Sequence, residues 1–269
     1  MIKENVHMTC SVVTVCYNAS KLLEKTILSV IGQTSKSIDY VIIDGGSSDG
    51  SKDIIEKYKD RINYYVSEPD QGIYDAMNKG INAATGDYLI FLNVGDVLCQ
   101  ADVLEKVEKY IKSSGSKYDV IYGDVIYKYA FGNKHVASKN LKWIKYDMVF
   151  SHQSVFVKTE ILKKRLFNLN YHLAADYDFL LWAYVKKLSF ANIGMPISVI
   201  DAGGGATYDN FVKSRKESYI AQCSYGGNKL LCFCWFLWKV SFFKISSSIK
   251  EMFPHSVLKI LFASKYARR

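Results

Sequence analysis

The sequence predicts an α/β fold in which a mostly parallel sheet is flanked by helices on both faces. From residue 11 to residue 125, short apolar segments rich in valine and isoleucine alternate with amphipathic helical segments. Glycines and acids follow several of the apolar segments, which is typical of loops at the carboxyl ends of parallel strands. The 269 residues, of which 49% are hydrophobic, suffice for one large packed domain with an appendage.

The individual elements follow from this alternation. Ser20 and Ser51 are expected at the starts of the first two helices, and Gly86 is expected to end the third. Beyond residue 126 the pattern weakens. The predicted strands are 11–15, 40–43, 62–66, 88–92, 120–125 and 154–157, and the later helices are 74–84, 102–114 and 176–186.

Charge divides the chain into two parts. The net charge is +9, and residues 211–269 contain eleven basic and two acidic residues, which account for all of it. We therefore expect a main domain over residues 1–210 and a basic tail over residues 211–269. Residues 1–100 of the main domain are expected to bind a nucleotide, and residues 101–210 an acceptor.

The tail contains an aromatic, apolar segment over 230–245 that Lys239 and Lys244 interrupt. The lysines favour an interfacial helix over a membrane-spanning one. A helix packed on the main domain or in a homodimer is the alternative. Nucleic-acid binding is not expected, because bulky apolar residues separate the basic ones.

The cysteines and the amino-terminal segment indicate the cellular compartment of the protein. The six cysteines contain no Cys-x-x-Cys pair and no zinc spacing, and residues 1–8 are polar and do not resemble a signal peptide. We expect a reducing, cytoplasmic environment, with the tail on the inner face of the cell membrane.

Three groups of residues carry chemistry. The loop from Asp44 to Gly50 suits a nucleoside, although an ordinary turn capped by Asp49 and Ser51 has the same pattern. Asp96 lies on a tight turn that suits a divalent cation or is simply polar. Asp176 starts a helix, where an acid is either a general base or a cap, and His152 is either a substrate ligand or structural.

Five runs together resemble family 2 of the inverting nucleotide-sugar glycosyltransferases, which have the Rossmann-like GT-A fold. The resemblance covers roughly residues 9–205 and leaves the tail outside. The matching runs are residues 11–18, 41–51, 70–80, 84–96 and 175–179.

The resemblance implies a role for each matching residue. Asp44 is similar to the acid that binds the base of the nucleotide, Asp96 to the last acid of the metal motif, and Asp176 to the catalytic base. Asn93 and Gly95 stand where acids often occur, so Asp96 is left as the charged ligand for Mn²⁺ or Mg²⁺. The remaining expected contacts are Thr14, Tyr17, Asn18, Asn78 and Asn93 for the nucleotide, and Asp75, Asp124 and His152 for the acceptor or substrate.

The activity implied by the resemblance is transfer of one sugar, with inversion, from a nucleotide-sugar such as UDP-hexose or UDP-N-acetylhexosamine. The Gln-x-x-Arg-Trp motif of processive synthases is missing from the sequence. A glycan or polyprenyl-diphosphate-linked acceptor of polysaccharide or O-antigen assembly is expected, with residues 229–269 on the membrane. A non-catalytic nucleotide- or carbohydrate-binding protein is the alternative. A nucleotidyltransferase is disfavoured, because 11–18 contains no basic, glycine-rich phosphate loop.

Overall fold

A computed structural model describes residues 8–129, 132–202 and 210–252. Strands and helices alternate along the first half of the described chain, as the sequence predicts. The strands are β1 (Cys10–Cys16), β2 (Ile38–Asp44), β3 (Tyr64–Ser67), β4 (Tyr88–Phe91), β5 (Val97–Leu98), β6 (Val120–Tyr129), β7 (Gly132–Val136), β8 (Val155–Lys158) and β9 (Phe190–Asp201). The helices are α1 (Ser20–Ile31), α2 (Ser51–Lys57), α3 (Ile73–Ala83), α4 (Val103–Ser113), α5 (Thr159–Lys164), α6 (Ala175–Val185), α7 (Phe211–Ser224) and α8 (Lys229–Met252).

The strands form a single mixed sheet in the order β3-β2-β1-β4-β8-β6-β9-β5, and β7 extends β6 as a hairpin. The first four strands of this order are parallel, so their carboxyl ends lie at one edge. Antiparallel β8 separates β4 from β6, and the parallel pairing resumes between β6 and β9. The sheet is therefore parallel where the predicted nucleotide loops lie, and mixed beyond them.

Both faces of the sheet are covered, which confirms the predicted α/β layering. On one face α3, α6 and α7 pack on alternate residues of the central strands, such as Val13 and Val41. On the other face α1, α2 and α4 pack on the intervening residues, such as Val12 and Ile42. This alternation follows from the period of two along a strand.

Several predicted boundaries differ from the structure. The short strand β5 and the long strand β9 have no counterpart in the prediction, and β6 continues to Tyr129. α3 ends at Ala83, so Gly86 does not terminate it. A Cβ atom at Gly86 would lie only 2.7 Å from the backbone nitrogen of Ser11, so this glycine instead lets the chain approach β1 closely.

The two tail helices are attached to the main domain. Ala221 of α7 belongs to the buried core, and Glu217 accepts hydrogen bonds from the backbone nitrogens of His172 at 3.0 Å and Leu173 at 2.7 Å. The first helix of the expected tail, α7, therefore shares its core with α6. The division of the chain at residue 210 stays a prediction.

One face of α8 packs on the main domain and the other is open. Trp235 packs between Trp143 and Tyr146, and Lys239 forms an ion pair with Asp147 at 2.6 Å. The open face is strongly apolar. Within residues 8–129, 132–202 and 210–252, no helix combines the length and apolar character needed to cross a bilayer. The exposed apolar residues of α8 are Leu230, Leu231, Phe233, Leu237, Trp238, Phe242 and Ile245.

Candidate active site

Asp176 lies in the first turn of α6, where two side chains hold its carboxylate. The hydroxyl of Tyr74 donates a hydrogen bond to Asp176 Oδ1 at 2.9 Å. His152 Nδ1 lies 3.1 Å from Asp176 Oδ2. Tyr74 belongs to α3 and His152 to a short 3₁₀ turn before β8, so three separate elements converge on one acid. The carboxylate is thus fixed in orientation.

The surroundings of Asp176 favour its ionised form. Burial acts to raise the pKa of this carboxyl, but the hydrogen bond and charge of His152 and the Tyr74 hydroxyl outweigh it, so the pKa is lowered. The pKa of His152 is raised, because Asp176 and Asp96 outweigh the opposing effect of burial. Asp176 is therefore ionised at neutral pH.

His152 connects Asp176 to the turn that follows β4. Its Nε2 lies 3.1 Å from Nδ2 of Asn93, and the neighbouring Gln153 donates to Asp96 Oδ2 at 3.0 Å. Thr26 fixes this turn, because its hydroxyl donates to the backbone oxygen of Asp96 at 2.8 Å. The 3₁₀ turn at residues 152–154 consequently brings two of the predicted acids, Asp96 and Asp176, into one site.

Asp96 is a buried acid with a perturbed pKa. Burial raises the pKa of its carboxyl to about 6, the charge of Asp201 contributes to the rise, and Gln153 and His152 oppose it. Asp201 ends β9, which pairs with β5 directly after Asp96. Because burial disfavours the ionised form of this carboxyl, a bound divalent cation would strongly stabilise that form.

The turn also fits a hard cation by its donor atoms. Asn93 Oδ1 is buried and has no hydrogen-bond partner among the residues that the structure describes. Asp96 supplies a carboxylate beside it, and Mn²⁺ and Mg²⁺ take oxygen ligands. In the same described residues, no three or more His, Cys, Asp or Glu side chains are grouped to hold a metal. Asn93 and Asp96 therefore fit a cation whose other ligands would be phosphate oxygens of a substrate.

The loops after β1 and β2 are joined to each other at the same edge of the sheet. Asn18, at a φ of 46°, accepts a hydrogen bond from the backbone nitrogen of Ser48 at 2.9 Å. Ser47 Oγ accepts one from the backbone nitrogen of Asn18 at 2.8 Å. Tyr17, at the end of β1, is 66% exposed and lies beside Gly45. Of the predicted nucleotide contacts, Tyr17 and Asn18 are thus both exposed at this edge.

Asp44 lies at the end of β2, where its carboxylate is bonded within the loop. Its side chain is fully buried, and both carboxylate oxygens accept hydrogen bonds within the loop. Oδ2 accepts from the backbone nitrogen of Ser47 at 3.0 Å and from the hydroxyl of Ser67 at 2.5 Å, and Oδ1 accepts from the hydroxyl of Ser47. These bonds hold β2, β3 and the loop together, and the expected contact of Asp44 with a base stays a prediction.

Two further predicted nucleotide contacts are structural. Thr14 is fully buried within the sheet, where its hydroxyl lies 3.3 Å from that of Tyr40. Asn78 Nδ2 donates to the backbone oxygen of Phe167 at 2.9 Å, and its Oδ1 accepts from the same residue's nitrogen at 2.8 Å. Both side chains thus contribute to the fold, and their expected contacts with the nucleotide stay a prediction.

Asp75 and Asp124 are likewise engaged in local contacts. Asp75 accepts a hydrogen bond from the backbone nitrogen of Gln71 at 3.0 Å, at the start of α3. Asp124 lies 2.8 Å from His135 and accepts from the backbone nitrogen of Ser138 at 2.9 Å, which fastens the β6–β7 hairpin. Their expected acceptor role stays a prediction.

Three residues of the site were not singled out from the sequence. Tyr74 lies inside the matched run 70–80, and Gln153 directly follows the candidate residue His152. Asp201 follows an apolar strand, which is the same signal that identified Asp96. β9 itself was not predicted, so this signal could not be used.

The sequence model of the family described as "Glycosyl transferase family 2" matches residues 11–176. A "PGL/p-HBAD biosynthesis glycosyltransferase" of Mycobacterium bovis is 30% identical over 181 residues, which is 63% of this chain and 67% of that relative.

Two solved structures share the fold. S. aureus TarS in complex with UDP-GlcNAc has a TM-score of 0.63 and 16% identity, over 84% of this chain and 69% of that one. Against a longer solved TarS chain, the match spans 41% of its length. The mannosyltransferase PcManGT from Pyrobaculum calidifontis, in complex with GDP-Man and Mn²⁺, has a TM-score of 0.65 and 13% identity, over 96% of this chain and 79% of that one.

Proposed function

This chain belongs to glycosyl transferase family 2 and is a glycosyltransferase, and we propose that it moves one sugar with inversion from a nucleotide-sugar to an acceptor hydroxyl. The observation that carries the proposal is the ionised carboxylate of Asp176, fixed by Tyr74 and His152 beside the turn that contains Asp96. The sugar would lie between the acid on α6 and this turn.

In the proposed reaction Asp176 is the general base. It takes the proton of the acceptor hydroxyl, whose oxygen forms a bond to the anomeric carbon. The bond from that carbon to the nucleoside diphosphate breaks on the opposite face, so the configuration inverts. A positioned base of this kind contributes about 10²–10⁴-fold to the rate. Tyr74 keeps its own proton, because burial and the charge of Asp176 raise its pKa well above the ordinary value.

The turn after β4 would hold Mn²⁺ or Mg²⁺ through Asp96, with Asn93 beside it. When bound, such a cation offsets the negative charge that grows on the departing diphosphate. Gln153 orients the Asp96 carboxylate, and His152 links this turn to Asp176. The Mn²⁺ bound by PcManGT supports this choice of cation.

The donor is proposed to be a UDP-sugar, since TarS binds UDP-GlcNAc with a similar fold. The absence of the Gln-x-x-Arg-Trp motif favours release after one transfer. The alternative predicted from the sequence, a binding protein without catalysis, does not account for a carboxylate held ionised by Tyr74 and His152.

A lipid-linked acceptor at a membrane surface is the proposed second substrate. The open face of α8 carries leucines and aromatic residues, and Lys229 and Lys244 are exposed on the same helix. This combination suits a helix lying at the head-group level of an anionic bilayer, where each lysine contributes about 1 kcal/mol. The exposed aromatic residues would enter the acyl boundary.

The experiment that tests this function uses the purified full chain with radiolabelled UDP-glucose, UDP-galactose and their N-acetyl forms. We expect transfer of label to an added polyprenyl-diphosphate sugar or glycan with Mn²⁺, and loss of transfer when a chelator is added. An unchanged rate with the chelator would contradict the metal assignment. No transfer from any nucleotide-sugar, to any of a panel of acceptors, would contradict the proposed function.

A further inference from the structure

A short 3₁₀ helix of the main domain, Leu141–Lys145, presents a tryptophan to solvent. We call it the 141–145 helix. Trp143 is 54% exposed, whereas the next residue, Ile144, is fully buried in the core. The hydroxyl of Tyr177 donates a hydrogen bond to the backbone oxygen of Ile144 at 2.7 Å. Because Tyr177 belongs to α6, the exposed indole lies on a backbone segment that is fixed to the core.

The ring of Trp143 continues into a row of aromatic side chains on α8. It stacks on Trp235, with ring centres 6.4 Å apart and an angle of 19° between the rings. Trp238 lies 5.1 Å from Trp235, and Phe242 lies 5.9 Å from Trp238. Trp143, Trp238 and Phe242 are each more than half exposed. These four residues, the aromatic row, therefore join the surface of the main domain to that of the tail helix.

Lysines flank the aromatic row on both elements. Lys142 and Lys145 are exposed on the 141–145 helix, on either side of Trp143 in the sequence. Lys229 and Lys244 are exposed on α8. An indole has an apolar body and a polar N–H, which suits the boundary between water and lipid, and lysines there contact anionic head groups. The aromatic row and its lysines thus match an anionic bilayer in both apolar surface and charge.

We propose that the 141–145 helix is a second membrane contact, with Trp143 at the head-group level and Lys142 and Lys145 on anionic lipid. This helix and α8 then bind the bilayer together. One weak membrane signal gives only marginal, reversible binding, and stable anchoring takes two. The inference rests on the proposed function for its lipid-linked acceptor, although the membrane contact is measurable without an acceptor.

A contact at this place determines how the candidate active site faces the bilayer. Tyr177, which holds the backbone of Ile144, directly follows the proposed base Asp176 on α6. The chain after the 141–145 helix also leads to His152, whose Nδ1 lies 3.1 Å from Asp176 Oδ2. Contact through α8 alone would leave the main domain free to rotate about that helix. Contact through both elements holds the start of α6 near the surface where a lipid-linked acceptor is presented.

Two other roles of the exposed indole make different predictions. If Trp143 stacks on a sugar ring of the acceptor, Trp143→Ala weakens transfer to soluble and membrane-bound acceptors alike and leaves vesicle binding unchanged. If the aromatic row covers the same row of a second copy, the chain is a dimer that Trp143→Ala dissociates. Lys142 and Lys145 favour the bilayer, because two copies facing each other would bring these like charges together.

The test is flotation of the full chain with phosphatidylcholine vesicles, with and without phosphatidylglycerol, over a range of lipid concentrations. A variant that combines Lys142→Gln and Lys145→Gln should bind the anionic vesicles about 30-fold more weakly, since each lysine near such a surface contributes about fivefold. This loss should shrink at high salt and disappear on neutral vesicles. Trp143→Ala should weaken binding to both kinds of vesicle, because its contribution is mainly apolar.

The matched control combines Lys112→Gln and Lys117→Gln, which removes the same charge from the other side of the molecule. Both lysines are exposed, one in the last turn of α4 and one shortly after it. α4 packs on the face of the sheet opposite to the one that contains Ile144. This variant should bind both kinds of vesicle as the wild type does.

A loosened α8 is excluded by the choice of variants. Trp143→Ala removes a ring that packs on Trp235, so hydrogen–deuterium exchange of α8 is measured for it without vesicles. The variant of Lys142 and Lys145 leaves this packing intact. Its weaker binding would therefore come from the lost contacts with lipid.

Outcomes for this inference and for the proposed function are separable. Equal flotation of the wild type and the variant of Lys142 and Lys145 on anionic vesicles overturns the inference and leaves the function standing. An equal loss in the control overturns it too, in favour of a general effect of charge. A dimer that Trp143→Ala dissociates, with unchanged flotation, overturns it in favour of the second copy.

Transfer of sugar completes the comparison. The variant of Lys142 and Lys145 should have a raised KM for an acceptor embedded in anionic vesicles, and an unchanged kcat and KM for a short-chain, water-soluble acceptor. An unchanged KM for the embedded acceptor overturns the role of the 141–145 helix in orienting the site. If the wild type transfers no sugar but its flotation depends on both lysines, the proposed function fails and the membrane contact stands.

Discussion

Asp147 is the acid that attaches the tail helix α8 to the main domain, and replacing it with asparagine should loosen that helix. Its carboxylate lies 2.7 Å from Arg215 and 2.6 Å from Lys239, with Lys139 at 3.4 Å. Burial acts to raise the pKa of Asp147, but these cations outweigh it and lower the pKa. The ion pairs therefore persist at neutral pH and are lost only as the pH falls through that lowered pKa.

The size of the effect follows from burial. Breaking a buried ion pair by removing one partner costs about 3–5 kcal/mol. The side chains of Arg215 and Lys239 remain 18% and 22% exposed, so water compensates in part and we expect about 2–3 kcal/mol. Each 1.4 kcal/mol is a tenfold change in an equilibrium constant, so the opening equilibrium of α8 should rise about 30- to 150-fold.

Hydrogen–deuterium exchange of the α8 backbone amides measures this opening directly. Exchange in α1 and α4 should be unchanged in Asp147→Asn, because those helices pack on the opposite face of the sheet. Glu160→Gln is the control, since its pair with Lys164 is exposed on both sides and contributes little. Exchange of α8 equal to that of the wild type would contradict this prediction, and would mean that ring packing such as that of Trp235 on Trp143 holds the helix without the ion pair.

Two further predictions concern the metal and the membrane. Burial raises the pKa of Asp96 to about 6, so protons compete with the cation for this carboxylate in acid. Mn²⁺ binding, measured by electron paramagnetic resonance, should therefore be about tenfold weaker at pH 5 than at pH 7. An affinity that does not change over this range would contradict the assignment of Asp96. The full chain should float with vesicles that contain anionic lipid, and a variant that combines Leu237→Ser, Trp238→Ser and Phe242→Ser should not. The control Leu28→Ser, on α1, should float as the wild type does. Equal flotation of all three proteins would contradict the membrane role of α8.

The parallel half of the sheet and two of its acids could be predicted from the sequence. The short valine- and isoleucine-rich segments indicated β1, β2 and β4, since strands covered on both faces are almost wholly apolar. Asp96 could be identified because it lies in the turn after a predicted strand, and Asp176 because it begins a predicted helix near the expected crevice. Their convergence depended on the family resemblance, since no sequence spacing shows that residues 152–154 lie between them.

The positions of Asp44 and Thr14 could not be obtained in this way. Which of two neighbouring residues faces the crevice depends on how the loop closes, and here Ser47 and Ser67 turn Asp44 inward. Thr14 is polar but belongs to a central strand, so its hydroxyl is enclosed between sheet and helices. A pattern of residue types does not reveal such side-chain hydrogen bonds.

The second half of the sheet was missed for a different reason. β9 contains a glycine and a proline, and its burial does not alternate regularly, so it lacks the period of a strand. The antiparallel insertion of β8 between β4 and β6 is a long-range pairing that no local signal encodes. The packing of α7 on the core could not be predicted, because its buried face is largely polar and includes Glu217, Ser218 and Gln222.

The measurement that tests the central claim most directly is single-turnover transfer by Asp176→Asn, compared with its binding of UDP. An asparagine keeps the shape of the side chain and cannot accept the proton, so the account predicts a loss of at least about 10²-fold in the transfer rate. Affinity for UDP and the unfolding temperature should stay near those of the wild type. A transfer rate equal to that of the wild type would contradict the assignment of Asp176 as the base.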